Sequence, residues 1–308
     1  MSIMRWCWAL CVACLLLPRE TGAQPPTYLM QWGSFGTEAG QFDSPFSLAV
    51  DSQGNIFVVD YRNSRVQKFT PDGQFLLQWG SNGYGDGQFA KPVGIAIGPS
   101  DLVYVVCSLR NDVQEFLPDG SFQRKWTGGG SVIDVDAAGN VYVAADHTIR
   151  KYVNGTEVLT WGEYGYGDGK FGTIQGIAVD GSGYVYVADR TNGWFQKFTQ
   201  DGDFVMRWTW PLGGRVEFIG LDVASNGTVH LADYWNSRMV SVSPDGESFF
   251  TWGGPGEEPG QFNSIWDVVL SQDGFIYTAE DYRIQKFATG PVPARPISWG
   301  HLKARFDK

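Results

Sequence analysis

The sequence contains few histidines, cysteines and basic residues. There are 3 histidines and 4 cysteines, and 23 lysines and arginines face 33 aspartates and glutamates, which gives a formal net charge of -10. A protein of this charge repels a phosphate backbone, so nucleic acid is not an expected partner. His147, His230 and His301 occupy unrelated places in the sequence, a turn, a strand and the C-terminal tail, so they are not expected to converge on one zinc ion. No nucleophile with a partnered base is identifiable, so we name no catalytic residue.

Long hydrophobic runs are also scarce. The one clear run, Trp6 to Leu17, follows Arg5 and precedes the small residues Thr21, Gly22 and Ala23, the order found in a signal peptide. It is shorter than the roughly 20 residues that span a bilayer. We therefore expect residues 1–23 to be a cleaved signal, with no membrane span and a secreted, extracellular or periplasmic location. Three cysteines lie within the signal and one follows it, so no internal disulfide is expected.

Glycine and aromatic residues are abundant instead. The 40 glycines and the aromatic content of 15% suit short strands joined by tight turns better than helices. Tryptophan recurs at intervals within the range of about 20–50 residues that is typical of repeat folds. The recurring tryptophans are Trp32, Trp79, Trp126, Trp161, Trp208, Trp252 and Trp299.

Six copies of one pattern lie between these tryptophans, and each copy contains four segments with the alternation of β-strands. Asp-Gly or Asn-Gly pairs, such as Asp72–Gly73, separate the third segment from the fourth in most copies, as in hairpins. A four-stranded unit of this size cannot bury both its faces alone, so the copies must pack around an axis. We predict an all-β fold, a six-bladed β-propeller of four-stranded antiparallel blades.

The copies resemble the NHL-repeat family. The resemblance is strongest in the first copy, where the matching residues are Gly40, Phe42, Pro45, Val50, Asp51, Gly54, Asn55, Asp60, Asn63 and Arg65. It implies a propeller, but propellers of this kind serve as binding platforms, lyases and lactonases. Function must therefore be argued from individual sites.

Two segments compete to be the outer strand of the last blade, Tyr28–Gly33 and Ile297–Gly300. Pro291, Pro293 and Pro296 precede the second segment, and proline gives a strand ladder no donor. We therefore expect residues 24–290 to form a propeller closed by its N-terminal strand. Residues 291–308 are then a proline-containing linker and a short C-terminal tail.

Repeated polar elements favour a structural interpretation. The pattern Asp-x-x-Asn-x-Arg occurs at Asp60 and again at Asp233, in the turn between the second and third strands. A catalytic group is needed once, whereas a turn clamp is needed in every blade, so these residues are interpreted as clamps. His230 aligns with a column of aromatic residues and is expected in the core.

The resemblance to NHL-repeat propellers implies that the turns between the second and third strands share one face with the connections between blades. Aromatic and arginine residues there are the types enriched at binding hot spots, although some will only cover the blade tops. The connections add Tyr84, Tyr164 and Tyr166. The predicted ligand-binding residues are Tyr61, Arg62, Arg110, His147, Arg190, Trp194, Tyr234, Trp235, Arg238, Tyr282 and Arg283. The sequence thus favours a secreted, non-enzymatic scaffold that recognises a protein, peptide or glycan.

Three aspartates stand where the innermost strands otherwise carry small or apolar residues. Asp134, Asp222 and Asp267 should face the central channel, where a carboxylate needs hydrogen bonds or a counter-ion. Channel water satisfies this need, and a cation such as Ca²⁺ is the alternative. The cation would suit a second function, a metal-dependent lactonase-like or lyase enzyme.

Overall fold

The computed structural model describes residues 25–209 and 214–289. Its strands form six four-stranded antiparallel sheets. The first strand of each sheet contacts the first strand of the next, and that of the sixth sheet contacts that of the first, so the sheets close into a ring. The prediction of an all-β, six-bladed propeller is confirmed.

The first described strand, β1 (Thr27–Trp32), belongs to blade 6 in space, and blades 1 to 3 then follow in chain order. Blade 1 consists of β2 (Pro45–Val50), β3 (Ile56–Asp60), β4 (Arg65–Phe69) and β5 (Phe75–Trp79). Blade 2 consists of β6 (Pro92–Ile97), β7 (Val103–Cys107), β8 (Asp112–Phe116) and β9 (Phe122–Thr127), with a short 3₁₀ helix at Pro99–Asp101. Blade 3 consists of β10 (Val132–Val135), β11 (Val141–Ala145), β12 (Thr148–Val153) and β13 (Thr156–Trp161).

A small parallel pair, β14 (Glu163–Tyr164) and β15 (Lys170–Phe171), lies in the connection from blade 3 to blade 4. Blade 4 consists of β16 (Ile174–Val179), β17 (Val185–Asp189), β18 (Trp194–Phe198) and β19 (Phe204–Thr209). Blade 5 consists of β20 (Phe218–Val223), β21 (Val229–Asp233), β22 (Arg238–Val242) and β23 (Phe249–Gly253). Blade 6 consists of β24 (Asp267–Leu270), β25 (Phe275–Ala279), β26 (Ile284–Ala288) and β1.

The hydrophobic core is divided among the six junctions between blades. In the junction of blades 1 and 2, for example, Phe57 and Val59 pack with Val103 and Phe116. Every residue of β3 and of β4 is buried, because both sides of a middle strand face a neighbouring blade. The outer strand β5 is mostly exposed. His230 is also buried, as expected, and its Nδ1 lies 2.9 Å from the Ser241 hydroxyl.

The repeated tryptophans connect neighbouring blades. The indole of Trp32 lies over Gly73 in a turn of blade 1, and the indole of Trp79 lies over Gly120 in blade 2. A Cβ atom at either glycine would approach the ring to within about 2.8 Å, closer than normal contact. The tryptophan of one repeat and the turn glycine of the next are therefore a matched pair.

The N-terminal strand completes the ring. β1 pairs in antiparallel fashion with β26, from Thr27 opposite Ala288 to Trp32 opposite Ile284. Blade 6 therefore takes its outer strand from the start of the described chain and its other three strands from the end. The competing segment, residues 297–300, and the predicted tail lie outside the described residues.

Alternating strand directions define two faces of the ring. The turns between the second and third strands of each blade and the connections between blades lie at one end, which we call the loop face. The remaining turns lie at the other end, which we call the turn face. Isolated bridges such as Phe35 with Phe42, and Asn82 with Phe89, fold the glycine-rich connections onto themselves.

Candidate functional site

An aspartate–arginine clamp holds the glycine-rich connection into blade 1 in place. In blade 1 the buried carboxylate of Asp60 accepts hydrogen bonds from Asn63 Nδ2 (2.8 Å) and Arg65 Nε (2.9 Å). The Arg65 guanidinium then donates to the carbonyl oxygens of Thr37, Glu38 and Gln41 in the connection that leads into the blade. Burial raises the pKa of Asp60, and its hydrogen bonds to Asn63 and Arg65 oppose the rise. The clamp is structural.

Most of the arginines predicted for recognition take part in similar contacts. Arg238 Nε donates to Asp233 (3.0 Å), and Arg283 donates to the carbonyl oxygens of Glu257 and Gln261. Arg110 pairs with Asp112 at 2.9 Å and donates to the carbonyl oxygen of Gly85. Each of these groups is engaged by the protein itself, so the arginine part of the predicted surface contributes mainly to loop structure.

Two predicted arginines reach further into solvent. Arg62 is exposed and only loosely paired with Asp43, at 3.8 Å. Arg190 is half-exposed and pairs with Glu217 at 2.8 Å. Both lie in turns of the loop face, as the sequence indicated.

The assignment of Trp194 to an exposed surface needs correction. Its side chain is only 2% exposed, because the ring of Tyr166 covers it at 4.4 Å and the Arg207 guanidinium lies over it at 4.4 Å. Both covering residues come from other parts of blade 4 and the connection before it, so sequence position alone does not reveal the burial. Trp194 packs the blade top.

The loop face nevertheless carries a set of exposed aromatic side chains, which we call the aromatic face. Within the described residues these are the six aromatic side chains most exposed to solvent, at 45–74%. They are Phe35, Tyr84, Tyr164, Tyr166, Trp235 and Tyr282. Sequence reasoning missed Phe35, although it occupies the same place in its glycine-rich connection as Tyr164 does in another.

Neighbouring side chains support several members of the aromatic face. Phe35 lies edge-on to Tyr282 at 5.1 Å, and His147 lies against Tyr164 at 4.8 Å. The Arg215 guanidinium lies over Trp235 at 3.9 Å. These contacts hold the rings in position while leaving much of their surface in water.

Tyr61 and Tyr234 have a different environment, at the mouth of the central channel. Tyr61 packs on Phe46 at 5.5 Å, Phe46 stacks on Trp266 at 5.0 Å, and Trp266 contacts Tyr234 at 4.9 Å. Phe46 and Trp266 also line a cavity of about 140 Å³ that occupies the channel. The two predicted tyrosines therefore belong to the rim of this cavity.

The three predicted aspartates line the same cavity, and each bridges two blades. Asp134 accepts from the backbone N–H of Val135 in its own strand and from Val179 of blade 4, at 2.8 and 2.6 Å. In the same way, Asp222 accepts from Leu270 of blade 6 at 2.7 Å. Asp267 accepts from Leu48 of blade 1 at 2.9 Å, which ties the last blade to the first.

Burial of these three carboxylates disfavours their ionised form. Burial raises the pKa of Asp134 to about 7, that of Asp222 to about 6 and that of Asp267 to about 7. Repulsion between Asp134 and Asp222 adds to the rise at Asp134, while the backbone N–H groups oppose it. Within residues 25–209 and 214–289, no three histidine, cysteine, aspartate or glutamate side chains form a group that could hold a metal ion. The proposed calcium site therefore stays a prediction.

Comparison with known proteins gives a family match for part of the chain. Residues 42–69 match the family model described as the NHL repeat. One segment of the six-bladed propeller is therefore similar to an NHL repeat. The matched segment contains the Asp60 clamp and the first three strands of blade 1.

The curated relatives share only a short segment with this chain. The B-box type zinc finger protein ncl-1 of Caenorhabditis elegans is 42% identical over 52 residues, which are 17% of this chain and 6% of that protein. The E3 ubiquitin-protein ligase TRIM71 of Rattus norvegicus is 45% identical over 56 residues, which are 18% of this chain and 6% of that protein. The chain therefore covers a small fraction of their length.

Solved structures resemble the chain over most of its length, but with low identity. A structure of virginiamycin B lyase from Staphylococcus aureus with quinupristin has a TM-score of 0.63 and 12% identity, covering 85% of this chain and 99% of that one. The WD40 propeller of Doa1 has a TM-score of 0.56 and 13% identity, covering 86% and 97%. These likenesses show the fold alone. In the described part of the chain, no helix is long and apolar enough to span a membrane.

Proposed function

We propose that this protein is a non-enzymatic binding scaffold that holds a protein partner on its aromatic face. One observation carries the proposal: the six most exposed aromatic side chains of the described residues all lie on the loop face. Tyrosine, tryptophan and phenylalanine are enriched at binding surfaces, where burying them on contact contributes much of the affinity.

The construction of the loop face supports the same proposal. Recognition residues commonly lie on loops that a rigid scaffold positions. Here, buried clamps such as Asp60–Arg65 fix the connections, and ring contacts such as Phe35–Tyr282 fix the aromatic side chains. A surface arranged in this way loses little conformational entropy when a partner binds.

We also propose that the protein acts outside the cytoplasm. The N-terminal residues have the charged, apolar and small-residue order of a signal peptide. N-terminal sequencing of the protein recovered from the medium or periplasm of expressing cells should begin at Gln24. Recovery from the cytoplasm with Met1 intact would contradict this part of the proposal.

Site-specific photo-cross-linking tests the scaffold function. A photoreactive phenylalanine analogue placed at Tyr166 or Trp235 should give the same covalent adduct with one partner protein in cells that express the chain naturally. The same analogue at Asp119 or Asp201, exposed in turns of the turn face, is the matched control and should give little adduct. Equal adducts from both faces, or an adduct from the turn face alone, would contradict the proposal.

A further inference from the structure

We propose that the partner presents a basic segment to one sector of the loop face, made of Phe35, Glu38, Glu257, Glu258 and Tyr282. We call this the acidic sector. The inference rests on the proposed scaffold function and adds the chemistry of the partner: lysine or arginine side chains next to an apolar residue.

Two connections bring these residues together around blade 6. The connection from blade 5 to blade 6 is held by Arg283, which donates to the Glu257 carbonyl oxygen at 2.6 Å. Tyr282 precedes Arg283, and its ring meets Phe35, which lies in the connection from blade 6 to blade 1. Arg65 in turn donates to the carbonyl oxygen of Glu38 at 3.0 Å. The aromatic pair therefore lies between two acidic connections.

The carboxylates of the acidic sector differ from those of the other connections in lacking a basic partner. Glu38, Glu257 and Glu258 are exposed, and none forms an ion pair with a residue in the described ranges. Elsewhere on the loop face each exposed carboxylate in a glycine-rich connection is paired. The pairs are Asp86 with Lys125, Glu163 with Lys170, and Asp168 with Arg207.

This charge distribution selects the partner's chemistry. The arginines that hold the two connections, Arg65 and Arg283, are largely buried and donate to backbone carbonyl oxygens, so they do not neutralise the glutamates. A lysine or arginine of a partner would supply the missing charge. Its apolar neighbour would cover the Phe35 and Tyr282 rings, whose faces also attract cations. Such binding should weaken as salt screens the exposed charges.

A peptide-binding measurement tests the inference. The probe is a fluorescein-labelled peptide of alternating lysine and glycine with leucine at its centre, and a peptide with glutamate in place of lysine is its counterpart. Fluorescence anisotropy should show salt-sensitive binding of the lysine peptide and none of the glutamate peptide. The combined variant E38Q, E257Q and E258Q should weaken binding by roughly tenfold, because individually weak exposed charges act together.

The matched control makes the same change in net charge in two other connections of the loop face, those before blade 2 and before blade 4. The combined variant D86N, E163Q and D168N should alter the dissociation constant by less than about twofold. Equal losses in the two variants, binding of the glutamate peptide, or no binding of either peptide would overturn the inference. Binding that appears only after residues 290–308 are removed would also overturn it, because the chain's own basic tail would then be the occupant.

The photo-cross-linking result at Trp235 shows whether a failure concerns this inference alone or the scaffold function as well. If the adduct forms but the peptide does not respond to the three glutamates, the scaffold function stands and only the acidic sector fails. If no partner is cross-linked from the loop face, the scaffold function itself fails.

Discussion

In this closed ring, a single aspartate side chain can link two neighbouring blades, as do Asp134, Asp222 and Asp267. An innermost strand has one edge without a neighbouring strand, so its backbone N–H groups need another acceptor. Each aspartate supplies two carboxylate oxygens, one for its own strand and one for the next blade, as in the pairing of Asp222 with Val223 and Leu270. The carboxylates therefore connect blades 3 to 4, 5 to 6 and 6 to 1.

Sequence reasoning placed these aspartates in the channel but did not find their acceptor role. Column alignment identifies an unusual residue in a strand, yet the N–H that it accepts belongs to another blade, such as Leu48 for Asp267. The burial of Trp194 was missed for the same reason, because the residues that cover its ring, Tyr166 and Arg207, come from other segments of the chain. Side-chain contacts between repeats were the part that the sequence could not predict.

The raised pKa values predict that stability increases as the pH falls from about 7 to about 5. In this range the folded protein binds protons at Asp134, Asp222 and Asp267, whereas the unfolded chain, with aspartate pKa values near 3.8, does not. The gain in stability is complete below the aspartate pKa of the unfolded chain. It is lost as the pH rises through the raised pKa values of the three aspartates in the folded protein. The measurement is the melting temperature across this range.

His230 acts in the opposite direction and provides the control. Burial lowers its pKa to about 4, so its contribution is lost as the pH falls from about 6.5 toward 4. H230Q should therefore steepen the rise in melting temperature on acidification, and D134N should flatten it. A wild-type melting temperature that falls steadily from pH 7 to pH 5 would contradict the assignment of protons to the channel.

Strands and turns are the elements that the sequence predicted best. The alternation and the turn glycines predicted six four-stranded blades because each repeat must satisfy the same local geometry. The pairing of an outer tryptophan with the next blade's turn glycine was not predicted, although both residues recur in the sequence. Their contact depends on the packing of one blade against another.

Substitution of Gly73 by alanine tests this tryptophan–glycine contact. Gly73 has φ +71°, and a Cβ there would lie 2.8 Å from the Trp32 ring. The change should cost about 1 kcal/mol for the backbone conformation and about 1–3 kcal/mol more for the overlap. Gly87 is the control, because it has φ +72° and nothing within 4 Å of a Cβ. Denaturant melts should show G73A as the less stable variant; equal stability would argue against the contact.

Deletion of β1 tests ring closure at the level of one strand. Loss of residues 28–33 removes the partner of β26 and the Trp32 indole, and it leaves the edge of blade 6 unpaired. We expect a large drop in melting temperature across the whole domain. Ending the chain after residue 290 should cost little. The reverse pattern would assign the outer strand of blade 6 to the C-terminal segment.

The whole molecule is a rigid ring whose two ends differ. Buried cores at the six junctions and clamps on the connections stabilise the ring, and among the described residues Cys107 is a buried free thiol. The loop face carries the exposed aromatic side chains and the acidic sector. Net charge and repeats in the sequence predicted this class of molecule, but the division between exposed and covered aromatic residues required the structure.

A chelator experiment tests the channel at the level of the whole ring. The carboxylate oxygens of Asp134, Asp222 and Asp267 already accept backbone N–H groups, so we expect the melting temperature of purified protein to be the same with and without EDTA. A ligand that binds only the folded state stabilises it, so its removal lowers the melting temperature. A clear drop that added calcium reverses would instead support the metal-dependent alternative.

The most direct test of the scaffold function compares Trp235 with Trp194. Calorimetric titration with the partner identified by cross-linking should show that W235A loses about 2 kcal/mol or more of binding free energy. The melting temperature of W235A should be nearly unchanged. The buried residue should behave in the opposite way, with W194A losing about 3–5 kcal/mol of stability. Full affinity in W235A, or a loss of stability as large as that of W194A, would contradict the account of the aromatic face as a binding surface.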